Sequence, residues 1–305
     1  MALTSIVTVN YNQPEATLAL LASIKRNLNL DDLEIIIVDN GSLTDCGALF
    51  KQCLPQLIYI RSQTNLGFAG GNNLGIKAAS GQYVLMVNND TEVVKGMTEI
   101  LVHEMEANPE IGMISPLILY FDQPDTIQYA GYTPMNYVTC RNKTEGLMEK
   151  NAGQYTGISK ETAYCHGAAM MCRKADIINI SLMPEMYFLY YEELDWCEMF
   201  KKAGKKIWFT GKTHIFHKES ISVGRESALK TYFVTRNRIL FIRRNASLFN
   251  QIIFAFYFTC VAIPKQIIIY VLKKRTDLIP YLRRALTWNI TQSRNSLKLG
   301  FNTVE

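Results

Sequence analysis

Short apolar runs alternate with segments of helical periodicity through the first ninety residues, and this alternation constrains the fold more tightly than any other feature of the chain. Leu3 to Val9, Leu33 to Asp39, Leu57 to Arg61 and Tyr83 to Asn88 read as strands, rich in β-favouring residues and bounded by turn signals. Between them, Pro14 to Asn27, a stretch ending near Gln52, and Ala69 to Ala79 read as helices, the first with proline near its start. Such a succession implies a mostly parallel sheet covered by helices on both faces. Three of its strands end on polar punctuation: Asn10-Tyr11-Asn12, Asp39-Asn40-Gly41-Ser42 and Asn88-Asn89-Asp90. In a parallel sheet those ends share one edge, outside which open α/β sheets bind their ligands.

Further along, the spacing predicts a helix over 96–108 and a strand over 112–119. An irregular stretch from Tyr120 to Tyr164 follows, expected to be an insertion or substrate-binding loop. Gly167 to Cys172 and the aromatic run Tyr187 to Tyr191 read as extended. Glu192 to Ala203 reads as a helix closed by Gly204, and Lys206 to Thr210 as a strand with a short extended piece at His214 to His217.

The last sixty residues differ in kind. Ile252 to Ile263 is nearly all apolar, and Pro264-Lys265-Gln266 interrupts it before Ile267 to Leu272, leaving a clean run shorter than the roughly 20 residues a bilayer span requires. The net charge of +5 conceals a division: residues 230–300 hold thirteen Lys or Arg against the single acid Asp277, so the body is mildly acidic and the tail strongly basic. Arg243-Arg244, Lys273-Lys274-Arg275 and Arg283-Arg284 flank the apolar runs and suit anionic lipid headgroups, so this region is expected to lie on a membrane surface, with a buried helix pair bearing a solvated basic face and a true span as the alternatives. Seven cysteines without CxxC spacing argue for reduced thiols and a cytoplasmic setting. The N-terminus enters an apolar strand without a basic region before it, which argues against a cleaved signal peptide.

Several residues are candidates for chemistry. Asp39 ends an apolar strand and is placed either to accept a hydrogen bond from a nucleobase or to form an Asx turn. The segment Gly67-Phe68-Ala69-Gly70-Gly71-Asn72-Asn73 either brings backbone close to a diphosphate or starts a packed helix; it matches neither GxGxxG nor a P-loop. Asp90 is a candidate ligand for Mg2+ or Mn2+ between two phosphates. Glu192, Glu193 and Asp195 open a helix, where acids are favourable with the helix dipole alone, yet one of them placed in a cleft could act as a general base. His217 is either a metal ligand or a surface histidine.

The ordered set Val7-Thr8-Val9-Asn10-Tyr11-Asn12, Val38-Asp39-Asn40-Gly41-Ser42, Asn65-Leu66-Gly67-Phe68-Ala69-Gly70-Gly71-Asn72 and Val87-Asn88-Asn89-Asp90, with Gly167-Ala168-Ala169-Met170 and Glu192-Glu193-Leu194-Asp195-Trp196-Cys197 beyond it, closely resembles glycosyltransferase family 2, in its bacterial rhamnosyltransferase-like branch. The resemblance covers roughly residues 3–245. It implies a GT-A fold (an α/β architecture with a mixed, mostly parallel central sheet flanked by helices), with a catalytic domain over 1–245 and basic, apolar C-terminal helices over 246–305. It further implies a nucleotide-sugar donor, Mn2+ or Mg2+ as cofactor, and inversion at the anomeric carbon.

Carried onto this chain, the resemblance sets Asn10, Tyr11 and Asp39 around the nucleotide base, with Gly67, Gly71, Asn72, Asn88, Asn89 and Arg236 also on the donor side. Asn88-Asn89-Asp90 stands where the family has its DxD motif, with Asn88 in place of the first acid and Asp90 matching the metal-binding one. Glu193 matches the catalytic aspartate of an ED pair, leaving the base among Glu192, Glu193 and Asp195, and His217 matches a histidine near the metal and diphosphate.

The implied reaction is transfer of a sugar, from dTDP-rhamnose or a UDP-sugar, to a hydroxyl of a lipid-linked or cell-surface glycan, as in polysaccharide, O-antigen or capsule synthesis. The setting would be the inner face of the bacterial cell membrane; an oligomer is compatible and nucleic acid is not an expected partner. Two alternatives stand beside it: a nucleotidyltransferase of related α/β fold, for which the first strand end offers no Lys or Arg, and a non-catalytic sugar-nucleotide-binding membrane scaffold, supported by Asn88 and by Glu193 replacing an aspartate.

Overall fold

The computed structural model describes residues 4–218 and 227–302, so the Leu3 start expected for the first strand lies outside the described residues. Strand β1 (Thr4–Asn10) leads into α1 (Pro14–Asn27), whose buried Thr17, Leu20, Leu21 and Ile24 recur at helical spacing along one face. Pro14 sits in the first turn, Glu15 lies near the N-terminus and Lys25 and Arg26 near the C-terminus, each end carrying the charge its dipole favours. Strand β2 (Leu33–Asn40), α2 (Gly47–Cys53), β3 (Ile58–Ser62), α3 (Gly67–Ala78) and β4 (Tyr83–Val87) complete the expected alternation. All five residues of β4 are buried, which is why that strand reads as a continuous apolar run.

After β5 (Thr91–Val93) and α4 (Met97–Ala107) come β6 (Ile111–Tyr120), β7 (Ile127–Tyr129), β8 (Ser159–Glu161), β9 (Ala169–Arg173), α5 (Lys174–Ile180), α6 (Glu192–Lys202) and β10 (Lys206–His217). The sheet runs β3-β2-β1-β4-β9-β6-β10-β5. Strands β3, β2, β1 and β4 are parallel, as are β6 and β10, whereas β9 runs antiparallel between β4 and β6. Two antiparallel steps restore direction, so β1, β2, β4, β6 and β10 all end on one edge. This is the mixed, mostly parallel sheet that was expected.

Two expectations about local structure are corrected. The aromatic run before α6 is not a strand but a 3₁₀ turn at Glu185–Tyr187 followed by residues of positive φ at Phe188, Tyr190 and Tyr191. Its apolar character is real, but it reflects burial in a turn, which periodicity alone does not distinguish from a short buried strand. The second correction concerns Pro264. Helix α8 (Leu248–Tyr257) passes through a π-helical turn (Phe258–Ala262) into α9 (Ile263–Leu272), and Pro264 falls in the first turn of α9. The wider π turn absorbs the missing amide, so the helix continues from Leu248 to Leu272. An 18-residue window within those 25 residues reaches a mean hydropathy of 1.9, so the helix is long and apolar enough to cross a membrane by length and composition.

Helix α7 (Ala228–Asn245) and α10 (Ile279–Thr291) join this end of the molecule to the sheet domain. Phe254 and Phe258 are buried against it, while Phe249, Ile252, Phe256 and Ile268 face outward. All seven cysteines are free thiols.

Candidate active site

The ends of β1, β2 and β4 converge, and side-chain hydrogen bonds stitch them together. Asn10 donates to Ser42 Oγ at 3.2 Å and accepts from Thr17 Oγ1 at 2.9 Å. Asp39 is fully buried; one oxygen accepts from the Ser42 amide at 3.1 Å and the other from the Tyr59 hydroxyl at 3.0 Å. The Asx-type turn therefore forms at the strand end itself, closed by the Asp39 carboxylate.

The single Tyr59 proton is shared with Asp45, whose oxygen lies 2.8 Å from the hydroxyl, and Arg61 pairs with Asp45 at 2.8 Å while donating to the Ser42 carbonyl. These bonds hold Asp45 down at about 2, the Gly47 amide contributing most. Tyr11 projects from this region, 40 % exposed. Asn40 and Ser42 lie in the polar strand end already singled out, whereas Tyr59 and Arg61 were missed by sequence reasoning; their only signal was the polar alternation on β3.

The glycine-rich segment belongs to packing. Helix α3 lies so close to the sheet that a Cβ on Gly71 would meet Val9 Cγ1 at 2.9 Å, and one on Gly75 would meet Val7 Cγ1 at 2.2 Å. Gly67, at φ +74°, presses against the Phe188 carbonyl, where a Cβ would sit at 2.2 Å. Asn72 is buried and donates to the Phe68 carbonyl one turn back. Close approach to the sheet and to the Phe188 carbonyl accounts for glycine at these positions, the packed helix start that was the other reading of this segment.

Arg236 is likewise engaged within the fold. It is fully buried in α7 and bonds to the carbonyls of Met186, Tyr187 and Leu299, with Phe233 and Trp288 rings 4.8 and 4.7 Å from its guanidinium. Burial lowers it to about 10.

At the end of β4, Asn89 is held by Thr17 at 3.1 Å, and the Asn88 amide bonds to the Ala168 carbonyl. Asp90 is buried, and its Oδ1 lies 3.2 Å from His217 Nε2 at the end of β10. Among the described residues neither atom completes a hydrogen bond, although both are shut away from solvent. The other ring nitrogen, Nδ1, is 2.8 Å from Gln128 Oε1, so with Nδ1–H donating to Gln128 the Nε2 lone pair faces Asp90.

A carboxylate oxygen and an imidazole nitrogen aimed at one point suit a borderline divalent ion such as Mn2+. Two cis ligands of an octahedral ion at roughly 2.1 Å stand roughly 3 Å apart, close to the observed separation. Among the described residues no group of three His, Cys, Asp or Glu converges, so Asp90 and His217 are the side chains that would hold an ion here. The geometry fits such an ion.

A wall of rings leads from this pair to the acids of α6. His166 stands 6.0 Å from His217 and stacks on Tyr132 at 6.1 Å; burial lowers its imidazole to about 3, keeping it neutral. Glu193 lies near enough to Tyr132 to raise that phenol, after the larger effect of burial. Glu193 is itself raised to about 7, chiefly by burial, with its own and the Leu194 amides at the helix N-terminus opposing. Glu192 is buried, its Oε2 unpartnered among the described residues, and burial followed by the charge of Glu193 raises it well above the carboxylate range. Asp195 differs: Arg244 holds one of its oxygens at 2.8 Å and Asn245 the other. Its carboxylate ties α6 to α7.

A curled mixed sheet with helices on both faces and an acid at the end of its fourth strand defines the GT-A class. Solved structures share this fold: GalNAc-T7, crystallised with UDP, GalNAc and Mn2+, superposes with a TM-score of 0.64 at 14% identity, over 80% of this chain and 48% of that one. TarS 1-349 of S. aureus superposes with a TM-score of 0.57 at 14% identity, over 95% and 81%. The Glycosyl transferase family 2 profile matches residues 5–178, and the chain belongs to that family. Among curated relatives, the low-salt glycan biosynthesis hexosyltransferase Agl10 of Haloferax volcanii is 28% identical over 85% of this chain and 80% of its own. The rhamnosyltransferase WbbL of Escherichia coli is 24% identical over 65% and 78%. Family membership sets aside the nucleotidyltransferase expectation.

Proposed function

We propose that this chain is a metal-dependent, inverting glycosyltransferase that moves a sugar from a nucleoside-diphosphate donor, dTDP-rhamnose or a UDP-sugar, to a hydroxyl of a lipid-linked or cell-surface glycan. The observation that carries it is the pairing of Asp90 Oδ1 with His217 Nε2, two buried atoms without hydrogen bonds among the described residues, on the same sheet edge as the nucleotide-side cluster of Asp39, Tyr59 and Arg61. The names of relatives and neighbours support it: a hexosyltransferase, a rhamnosyltransferase, and structures holding UDP or UDP with Mn2+.

In this reading Asp90 and His217 hold the ion, which when bound offsets charge growing on the leaving diphosphate. Asp39 and Tyr11 receive the base. Glu193 takes the proton of the acceptor hydroxyl as that oxygen bonds to the anomeric carbon, and the bond from that carbon to the phosphate oxygen breaks with its electron pair leaving on the diphosphate. A carboxylate raised to about 7 is matched to such work near neutral pH.

Thermal-shift titration with UDP- and dTDP-sugars, with and without Mn2+, is expected to show stabilisation by one nucleotide class that is strongest with the ion present. Mn2+-dependent release of the nucleoside diphosphate, abolished by chelation, separates the enzyme from a binding scaffold. No nucleotide-dependent shift for any donor would refute the reading.

The catalytic domain is proposed to occupy residues 1–245, with 246–305 holding it to the cytoplasmic face of a cell membrane. Phe249, Ile252, Phe256 and Ile268 face outward along the Leu248–Leu272 helix, and Lys265, Lys273, Lys274 and Arg275 lie beside them. Binding to vesicles containing anionic lipid is expected to weaken when Phe249 and Phe256 are both changed to Ser, and to survive 0.5 M salt in the native chain only in part; full release by salt alone would remove the apolar contribution.

A further inference from the structure

The acids of α6 are delivered by an expensive piece of backbone. Phe188 adopts φ 66° and ψ −57°, with the Leu189 amide bonding back to the Tyr187 carbonyl at 2.8 Å. This is the γ-turn of positive φ, the rare and strained kind. Tyr190 at φ 71° and Tyr191 at φ 76° follow immediately, and Tyr191 is the residue from which α6 starts. Three bulky aromatic residues in left-handed or γ conformations cost on the order of 1–3 kcal/mol each, and such conformations persist only where surrounding structure over-determines them.

Two consecutive side chains of α7 supply that constraint. The Asn237 amide nitrogen lies 2.9, 2.7 and 2.8 Å from the carbonyls of Tyr187, Leu189 and Tyr190. Arg236 Nη2 bonds to the carbonyls of Met186 and Tyr187 at 2.5 and 2.9 Å, and its Nε bonds to Asn237 Oδ1 at 2.8 Å, which fixes the orientation of the asparagine. The third leg comes from the end of the chain. Arg236 Nη1 bonds to the Leu299 carbonyl at 2.8 Å, which also accepts from Tyr232, and the Trp288 indole bonds to the Lys298 carbonyl at 2.8 Å. Gly300, at φ +71°, allows this strap to lie down, since a Cβ there would meet Tyr232 Oη at 2.4 Å and Trp288 Cδ1 at 2.5 Å. Phe301 then packs on Phe233 and Tyr281.

Among the described residues no carboxylate is hydrogen-bonded to Arg236; its bonds run to backbone carbonyls and to Asn237. A guanidinium buried this way is a poor source of stability, because desolvation is costly and an apolar residue would fill the space with less penalty. Its five donors in a rigid fork are well suited to holding a backbone in one shape.

We propose that Arg236 and Asn237 are positioning residues for the transfer, clamping the turn 186–191 so that Glu193 faces the donor site, with the strap Lys298–Phe301 as the anchor of that clamp. The proposal rests on the reading of Glu193 as the base. It makes the far C-terminal end of the chain part of the catalytic geometry without placing it in the cleft.

The test uses the full chain. Arg236→Lys keeps the charge but loses the fork, Asn237→Ala removes the carbonyl anchor, and Gly300→Ala displaces the strap from a distance. Each folded variant is expected to lower kcat tenfold or more (Gly300→Ala at least threefold), with donor KM and the affinity for the free nucleoside diphosphate within about threefold of wild type. Hydrogen exchange of residues 186–195 should rise in the same order, while exchange in β1 and β4 stays unchanged.

In the wild type, amides 187–191 should be protected to the level of α7, a measurement that needs no variant. Wild-type kcat in the folded variants, a loss falling on KM instead, or rapid exchange of 187–191 in the wild type would each overturn the clamp. A wild type protected at 187–191 but unable to cleave any donor would instead overturn the assignment of Glu193, on which the catalytic half of the proposal depends.

Discussion

Glu193→Gln is expected to lower kcat by roughly 10²–10⁴-fold, the usual worth of a positioned general base, and to leave donor affinity within about twofold. Glutamine preserves the volume and one acceptor oxygen but cannot take the proton of the acceptor hydroxyl. The wild-type rate should rise with pH along a limb centred at about 7, where Glu193 loses its proton. Glu192 is raised in the same direction, by burial and by the charge of Glu193.

Stability runs the other way. A carboxyl raised in the folded state stabilises the fold most fully below its unfolded value near 4.5, and that contribution is lost as pH rises through about 7. The Glu193→Gln variant has no such loss, so at pH 8 it should melt above the wild type while being nearly inactive. Rate–pH profiles and melting curves at pH 5 and pH 8 check both halves. Full activity after Glu193→Gln, or a limb left at the same pH by it, would remove Glu193 as the base.

Asp90→Asn is expected to remove the ion from the site and with it roughly 10³-fold in kcat, since a Lewis acid at a leaving diphosphate contributes several kcal/mol and each 1.36 kcal/mol is a decade. The asparagine oxygen remains but the formal charge does not, so the Mn2+ concentration for half activity should rise as well. Gln128→Leu offers a gentler probe. It removes the partner 2.8 Å from His217 Nδ1 and should weaken apparent metal affinity by roughly 10–100-fold while leaving the rate at saturating Mn2+ nearly intact. Full activity of Asp90→Asn in the presence of a chelator would exclude a metal held by this pair. The protein itself would show the ion's loss independently of turnover, through a Mn2+-dependent melting shift present in the wild type and absent from the variant.

Much of the scaffold was legible before folding was considered. Helix α1 begins at Pro14 and ends at Asn27 as its proline and its apolar spacing require, and β4 ends where Asn88-Asn89-Asp90 interrupts the apolar run. These signals are local: capping, periodicity and turn chemistry act over a few residues. The aromatic turn before α6 was not legible. Met186 to Tyr191 carries the composition of a buried strand, and its positive φ values depend on carbonyl partners supplied by Arg236 and Asn237, far away in sequence. Pro264 misled for a related reason, because the π turn that accommodates it leaves no mark in composition.

The same distinction runs through the site. Sequence alone determined the α/β alternation, the edge on which the polar strand ends gather, the family, and the short list of acids and histidines from which any chemistry must come. The tertiary structure decided which of these face one another. It set Asp90 Oδ1 against His217 Nε2, gave Asp195 to Arg244 and Asn245, turned Gly71 and Gly75 toward valines of β1, and made Arg236 a fastening for backbone. The physical reason is that a residue's type limits what it can do, whereas its role depends on partners that only the folded chain brings within hydrogen-bonding distance.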